Sequence, residues 1–153
     1  MTVDSLDFLE AIRGLPEQLA AAHEAAGKLK PALLPRADEI DNIVVLGMGG
    51  SGIAGDVLAA TASGALAVPV IGLKRYRTPC FVGARTLAFA MSYSGDTEET
   101  LSMTRGALDA GAKVIAVSNG GELAALARER GAMHVACPDG YLPRAALGAL
   151  IAP

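Results

Sequence analysis

The chain has 153 residues, which fits one domain, and 52% of them are hydrophobic, so it can bury a large core. A formal net charge of −3 argues against a nucleic-acid partner, and no apolar run reaches the ~18 residues that predict a membrane span. The chain opens without a secretory signal and carries two distant cysteines, Cys80 and Cys137, so we expect a reduced, cytoplasmic protein without a metal site.

The first 40 residues predict a helical arm. A helix capped by Asp4 or Ser5 is expected to end before Gly14, and a second helix is expected over residues 16–28. Two later prolines, Pro31 and Pro35, end this stretch. We therefore expect the arm to wrap around the domain or to pack on a partner, and the domain itself to span residues 41–153.

From residue 41 onward, apolar strands alternate with helices. The strands are predicted at residues 43–46, 68–71, 86–91, 113–117 and 133–136, and the helices at residues 51–62, 97–110, 121–130 and 143–151. The first strand is apolar throughout, which is typical of a parallel sheet covered on both faces. We predict an α/β protein with an open, doubly wound sheet, whose ligand lies at the carboxyl ends of the strands. Because the chain stops inside its last predicted helix, we expect a longer polypeptide.

A glycine-rich segment follows the first strand: Gly47–Gly52, GMGGSG, called the glycine loop below. A strand, a loop of small residues and a helix N-terminus together favour anion binding, because backbone N–H groups and the helix dipole converge. The spacing also matches the dinucleotide fingerprint G-x-G-x-x-G, but Lys74 and Arg75 stand where an acid is expected after the second strand. That alternative survives only for a phosphorylated ribose. A P-loop is excluded because no Gly-Lys-Ser/Thr follows, and a simple tight turn needs fewer glycines.

A second polar segment follows the third strand: Ser92–Thr97, SYSGDT, called the hydroxyl loop below. Three hydroxyls, of Ser92, Ser94 and Thr97, can converge on a phosphate dianion. A simpler interpretation makes Ser94 or Asp96 an N-cap of the next helix, which accounts for one or two of these residues. Together the two loops predict a ligand with one phosphate and several hydroxyls.

At these residues the chain resembles the sugar isomerase (SIS) family, and within it the bifunctional phosphoglucose/phosphomannose isomerases. Four segments in the same order carry the resemblance: GMGGSGIAGD at 47–56, SYSGDTEETL at 92–101, SNGGEL at 118–123 and PRAAL at 143–147. They extend over most of the domain, whereas the helical arm is less diagnostic.

The resemblance implies a three-layer α/β/α domain with strand order 2-1-3-4-5. It also implies a chain that is the N-terminal of two tandem SIS domains in a homodimer, and that isomerises glucose 6-phosphate or mannose 6-phosphate to fructose 6-phosphate through an enediolate, without a cofactor. By position in the motifs, Arg144 would stabilise the enediolate, and the phosphate would be held by Gly49, Gly50, Ser51, Ser92, Ser94 and Thr97.

One residue departs from the family pattern, and one catalytic role is unfilled. The family commonly has Asn where this chain has Asp96, and a carboxylate there would repel phosphate, so we expect Asp96 to turn away and cap the helix. Glu98, Glu99 and Glu122 open helices, where the dipole favours their ionised form, and His134 stands in a strand, so none is a convincing general base. The resemblance places the base in the second SIS domain.

Two further functions remain open at this stage. One is a non-catalytic SIS module that senses sugar phosphates, although the arm is not basic as a DNA-binding segment would be. The other is a different SIS enzyme, such as an amidosugar or heptose isomerase, which the GMGGSG and PRAAL segments disfavour.

Overall fold

The computed structural model describes residues 8–28, 34–62 and 64–151. Its strands are β1 (Asn42–Leu46), β2 (Val70–Leu73), β3 (Thr86–Met91), β4 (Lys113–Ser118) and β5 (Met133–Ala136). Its helices are α1 (Phe8–Arg13), α2 (Leu15–Ala26), α3 (Gly49–Ala62), α4 (Glu98–Asp109), α5 (Gly121–Glu129) and α6 (Leu147–Ile151), with short 3-10 turns at Ala37–Glu39 and Pro143–Ala145. None of the helices in these ranges is both long and apolar enough to cross a membrane.

The five strands form one parallel sheet in the order β2-β1-β3-β4-β5, which confirms the predicted fold class and strand order. In the centre of the sheet, Leu46 at the end of β1 pairs with Leu73 of β2 on one side and with Ala90 of β3 on the other. The carboxyl ends of β1, β2 and β3 therefore lie next to one another, and the loops that follow β1 and β3 are neighbours.

Helices cover both faces of the sheet, as the apolar strands predict. Alternate residues of β1 point to opposite faces: Val44 and Leu46 pack with Leu101 of α4 and Leu123 of α5. Val45 packs on the other face with side chains from α3 and α6. The result is a three-layer α/β/α domain with two separate apolar cores.

Several predicted boundaries were wrong. Strand β2 begins at Val70 rather than residue 68, because Pro69 has no N–H for the ladder and only its carbonyl accepts a bond, from Ile43. Helix α3 begins at Gly49, two residues earlier than expected, so its first turn lies inside the glycine loop. The last predicted helix is broken at Ala146 into the 3-10 turn and α6.

The helical arm is present as α1 and α2, separated at Gly14 as predicted. Helix α2 packs against α6 on the outside of the sheet. Helix α2 ends at Ala26 rather than at residue 28. The caps expected from Asp4 or Ser5, and Pro31, lie outside the described residues.

Candidate functional site

The glycine loop and the start of the hydroxyl loop meet at the carboxyl edge of the sheet. A Cβ atom added to Gly47 would lie 2.9 Å from the Ser51 carbonyl oxygen and 3.1 Å from that of Met91, the last residue of β3. Real Cβ atoms almost never come so close to backbone, so glycine is what lets the chain turn from β1 into α3 beside β3.

The glycine loop presents the first turn of α3 to solvent. Gly49 has a φ of +50°, and nothing lies within 4 Å of where its Cβ would be. The first N–H groups of a helix have no partner inside it, so those of Gly49, Gly50 and Ser51 are available to an anion. The Ser51 hydroxyl makes no hydrogen bond with the part of the chain that the structure describes.

The hydroxyl loop is held in shape by its own hydrogen bonds. Ser92, only 1% exposed, has its Oγ 2.9 Å from Thr97 Oγ1, and the same Oγ accepts the N–H of Gly95 at 3.1 Å. Ser94 Oγ accepts the N–H of Asp96 at 3.2 Å. The three predicted phosphate ligands of this loop are thus brought together within one six-residue turn.

The first turn of α4, directly after the hydroxyl loop, is not closed by a side chain. Its N-cap residue is Thr97, which makes no capping hydrogen bond because its hydroxyl is directed to Ser92. The expectation that Ser94 or Asp96 caps this helix is therefore wrong. The uncapped turn leaves a second set of N–H groups at the same edge of the sheet as those of α3.

Asp96 caps a different helix. Its Oδ1 accepts the N–H of Glu122, in the first turn of α5, at 2.8 Å. The neighbouring carbonyl of Gly95 accepts the N–H of Leu123 at 2.9 Å. These two bonds fasten the hydroxyl loop to the start of α5, and Gly95 (φ +80°) lies so close to the Gly120 carbonyl that no side chain fits. The carboxylate is thus engaged with the start of α5.

The turn that carries Arg144 lies beside the glycine loop. A Cβ added to Gly50 would be 3.8 Å from the Pro143 carbonyl oxygen, and the 3-10 turn contacts α3. Arg144 itself is exposed, at the same end of the sheet as both loops. The structure thus brings the predicted sugar-end residue next to the predicted phosphate ligands, although the two are far apart in sequence.

Tyr93, which the sequence analysis did not single out, ties the hydroxyl loop to the segment before Arg144. Its hydroxyl donates to the Pro138 carbonyl at 3.1 Å and accepts the N–H of Tyr141 at 3.0 Å. Its ring is buried in the core on the α3 side of the sheet. A tyrosine between two serines gives no local signal for such a contact, because both partners lie more than 40 residues further along.

None of the acids and histidines considered above is arranged as a general base. Glu122 forms an ion pair with Arg105 at 3.5 Å, and His134 Nε2 lies 2.9 Å from Ser118 Oγ in the sheet. Burial lowers the pKa of His134. At the start of α4, the negative charges of Glu98 and, to a smaller extent, Glu99 raise the pKa of the exposed Tyr76 phenol.

The remaining candidates are the two cysteines and Lys74. Burial raises the pKa of Cys137 to about 12, so this thiol stays protonated, while Cys80 is exposed. Lys74, the cation considered for a phosphorylated ribose, pairs with Asp56 of α3 at 2.5 Å. Within the described ranges, no three His, Cys, Asp or Glu side chains are grouped as a metal site requires.

Comparison with known proteins identifies the family. No protein-family model matches the chain. A bifunctional phosphoglucose/phosphomannose isomerase of Caldicellulosiruptor bescii is 40% identical over 141 residues, which are 92% of this chain and 41% of that protein. The enzyme of the same name from Thermoplasma acidophilum is 44% identical over 118 residues, 77% of this chain and 36% of that protein.

The solved structure of tagatose-6-phosphate ketose/aldose isomerase from Escherichia coli superposes with a TM-score of 0.75 at 16% identity, covering 99% of this chain and 46% of that one. The chain belongs to the sugar isomerase family. This SIS chain spans about two fifths of the length of the curated relatives it matches. The sequence resemblance is thereby confirmed, and at 16% identity the structural likeness supports the fold alone.

Proposed function

We propose that this SIS chain is the phosphosugar-binding part of an aldose–ketose isomerase that converts glucose 6-phosphate or mannose 6-phosphate to fructose 6-phosphate. The observation that carries the proposal is the pairing of two uncapped helix starts, α3 and α4, with the clustered hydroxyls of the hydroxyl loop at one sheet edge. The names of relatives with up to 44% identity support the reaction.

In this proposal the phosphate lies between the two loops. The N–H groups of Gly49 and Gly50 and the hydroxyl of Ser51 bind it from the α3 side, where the helix dipole is positive. The hydroxyls of Ser92, Ser94 and Thr97 bind it from the α4 side. The N–H groups and the hydroxyls of Ser51 and Ser94 can each donate a hydrogen bond to a dianion, and in the bonded pair of Ser92 and Thr97 one hydroxyl proton is free to donate.

In the same proposal, Arg144 stabilises the negative charge that develops on the substrate during the reaction. Moving a proton between C1 and C2 of an open-chain sugar phosphate passes through an enediolate, whose negative oxygens need a cation or several donors. Arg144 lies next to the glycine loop on an exposed turn, and a guanidinium can bind two oxygens at once. We propose that it touches the sugar end of the substrate.

The proposed reaction also needs a general base that the described residues do not offer. We propose that it comes from a second SIS domain of the same polypeptide, and that two such polypeptides form a homodimer. On this proposal residues 41–153 are the first SIS domain, residues 1–40 are its helical arm, and the 153-residue chain binds sugar phosphate weakly without isomerising it. The protein would act in the cytoplasm.

The binding half of the proposal is tested with a serine pair. Replacing Ser94 by Ala removes a hydrogen bond to a charged group, worth about 1.5–3 kcal/mol, so the affinity for fructose 6-phosphate should fall roughly tenfold to a hundredfold by calorimetry. Ser102→Ala, on α4 but outside the hydroxyl loop, is the matched control and should bind as the parent does. Equal affinities for Ser94→Ala and the parent would show that this loop does not bind the phosphate.

The catalytic half is tested by an assay coupled to glucose 6-phosphate formation. We expect no turnover of fructose 6-phosphate by residues 1–153, and turnover by the longer polypeptide that carries them. Robust turnover by the 153-residue chain would contradict the proposal that the general base comes from a second SIS domain. Phosphosugar binding without turnover in the longer polypeptide would favour the second candidate, a non-catalytic module that senses sugar phosphates.

A further inference from the structure

Helix α2 contacts the domain through an amide rather than through a wide apolar face. Its only buried residues in the described chain are Gln18 and Ala22, four positions apart and so on one side of the helix. Gln18 is 1% exposed. A glutamine is seldom buried this completely unless its amide is bonded. In Gln18 the amide nitrogen is bonded, whereas the buried Oε1 has no partner among the described residues.

The partner of Gln18 is the turn that carries Arg144. Gln18 Nε2 donates to the carbonyl oxygen of Ala145 at 2.8 Å, across 127 residues of sequence. Gly148 of α6 lies against the same side chain, and a Cβ there would come within 2.7 Å of Gln18 Cβ. The amide therefore sits in a tight contact between α2 and α6 and has little freedom to change its position.

The Arg144 turn has few bonds of its own. Within it, the Ala145 N–H donates to the Leu142 carbonyl at 2.8 Å, and a single such bond does not fix a short 3-10 turn. Before the turn, the chain is held through Tyr141 by the Tyr93 hydroxyl. After it, the chain is held through Ala145 by Gln18. Arg144 thus lies between one anchor from the hydroxyl loop and one from the helical arm.

We propose that Gln18 is a positioning residue that fixes the Arg144 turn, so that the arm sets where the guanidinium lies at the sugar end of the site. This inference rests on the proposed role of Arg144. Gln18 does not touch the substrate in this proposal, and it acts only through the carbonyl of Ala145. Losing its hydrogen bond should weaken recognition of negative charge at C1 and leave the grip on the phosphate unchanged.

Two ligands that differ only at C1 separate these effects. Glucitol 6-phosphate carries a neutral CH₂OH group there, whereas 6-phosphogluconate carries a carboxylate, which stands in for the charged enediolate. By calorimetry on the 153-residue chain, we expect a preference for 6-phosphogluconate of about tenfold or more, the value of one hydrogen bond between charged groups. Arg144→Ala should abolish this preference while leaving the affinity for glucitol 6-phosphate unchanged.

The decisive variant is Gln18→Met, which keeps the length of the side chain and removes the donor. It should lower the preference at least about threefold, with unchanged affinity for glucitol 6-phosphate. Gln18→Leu also removes the donor, and it serves if the first variant does not fold. Ala22→Gly is the control, because it loosens the same face of α2 without removing the amide, and it should keep the preference.

The outcomes separate the two proposals. If neither ligand binds the parent chain, the phosphosugar site is wrong, and the inference about Gln18 is wrong with it. If Arg144→Ala abolishes the preference but folded Gln18→Met and Gln18→Leu keep it, Arg144 retains its role and Gln18 loses its own. If Ala22→Gly lowers the preference as much as Gln18→Met does, the effect is general loosening of the arm, and the inference is overturned.

Discussion

The glycine loop and the hydroxyl loop lie side by side, yet they are built in different ways. The glycine loop offers backbone N–H groups of α3 and has open space around Gly49. The hydroxyl loop offers side-chain oxygens, and these are fixed by bonds among Ser92, Gly95 and Thr97 and by the bond from Asp96 to α5. Backbone donors are positioned by the helix itself, whereas flexible hydroxyls need hydrogen bonds to neighbouring residues to hold them.

The largest expected contrast is between two glycines with positive φ. In Gly49→Ala (φ +50°) the new Cβ atom has nothing within 4 Å. This variant should lower the free energy of unfolding by about 1 kcal/mol, the cost of the left-handed conformation. Ala at Gly95 (φ +80°) also overlaps the Gly120 carbonyl oxygen, so we expect a loss of about 3–5 kcal/mol. Urea denaturation measures both. Equal losses would show that the hydroxyl loop is as free as the glycine loop.

A smaller contrast is expected between the serines of the two loops. Ser92→Ala removes the buried hydroxyl that bonds Thr97 Oγ1 and the Gly95 N–H, and it should destabilise the fold by about 1 kcal/mol because that N–H keeps the Ser92 carbonyl as an acceptor. Ser51→Ala breaks no bond to the described chain and should change stability by less than about 0.5 kcal/mol. Both should weaken fructose 6-phosphate binding. Thermal unfolding together with calorimetry separates the two effects, and a destabilised Ser51→Ala would refute the contrast.

The smallest expected effect concerns the charge at the junction of the hydroxyl loop with α5. Asp96→Asn keeps an oxygen for the Glu122 N–H, so stability should hold, and fructose 6-phosphate affinity should rise about threefold because a nearby negative charge is gone. The gain should shrink at high salt. Asp96→Ala removes the acceptor as well and should cost about 1 kcal/mol of stability. If Asn and Ala behave alike in unfolding experiments, Asp96 is not a cap.

Much of the fold follows from local pattern. Apolar strands alternating with helices predicted the α/β class, and every strand lies within two residues of its expected place. The errors arose where a contact outside the segment decides the boundary, as at Pro69, whose carbonyl pairs with β1. In the candidate site, glycines and hydroxyls after strands were visible, because such residues are unusual there. The roles of Asp96, Tyr93 and Gln18 were not, because each depends on a distant partner.

The sequence alone predicted which residues could bind an anion, and the family resemblance that it carries is confirmed by its relatives. Only the tertiary structure decided which of these residues meet. The parallel sheet brings the ends of β1 and β3 together. The packing of α6 against α2 places the turn that carries Arg144 between the glycine loop and the arm. The reason is separation along the sequence. Side-chain periodicity reports on neighbours a few residues apart, whereas Gln18 and Ala145 are 127 residues apart and meet only when the domain is packed.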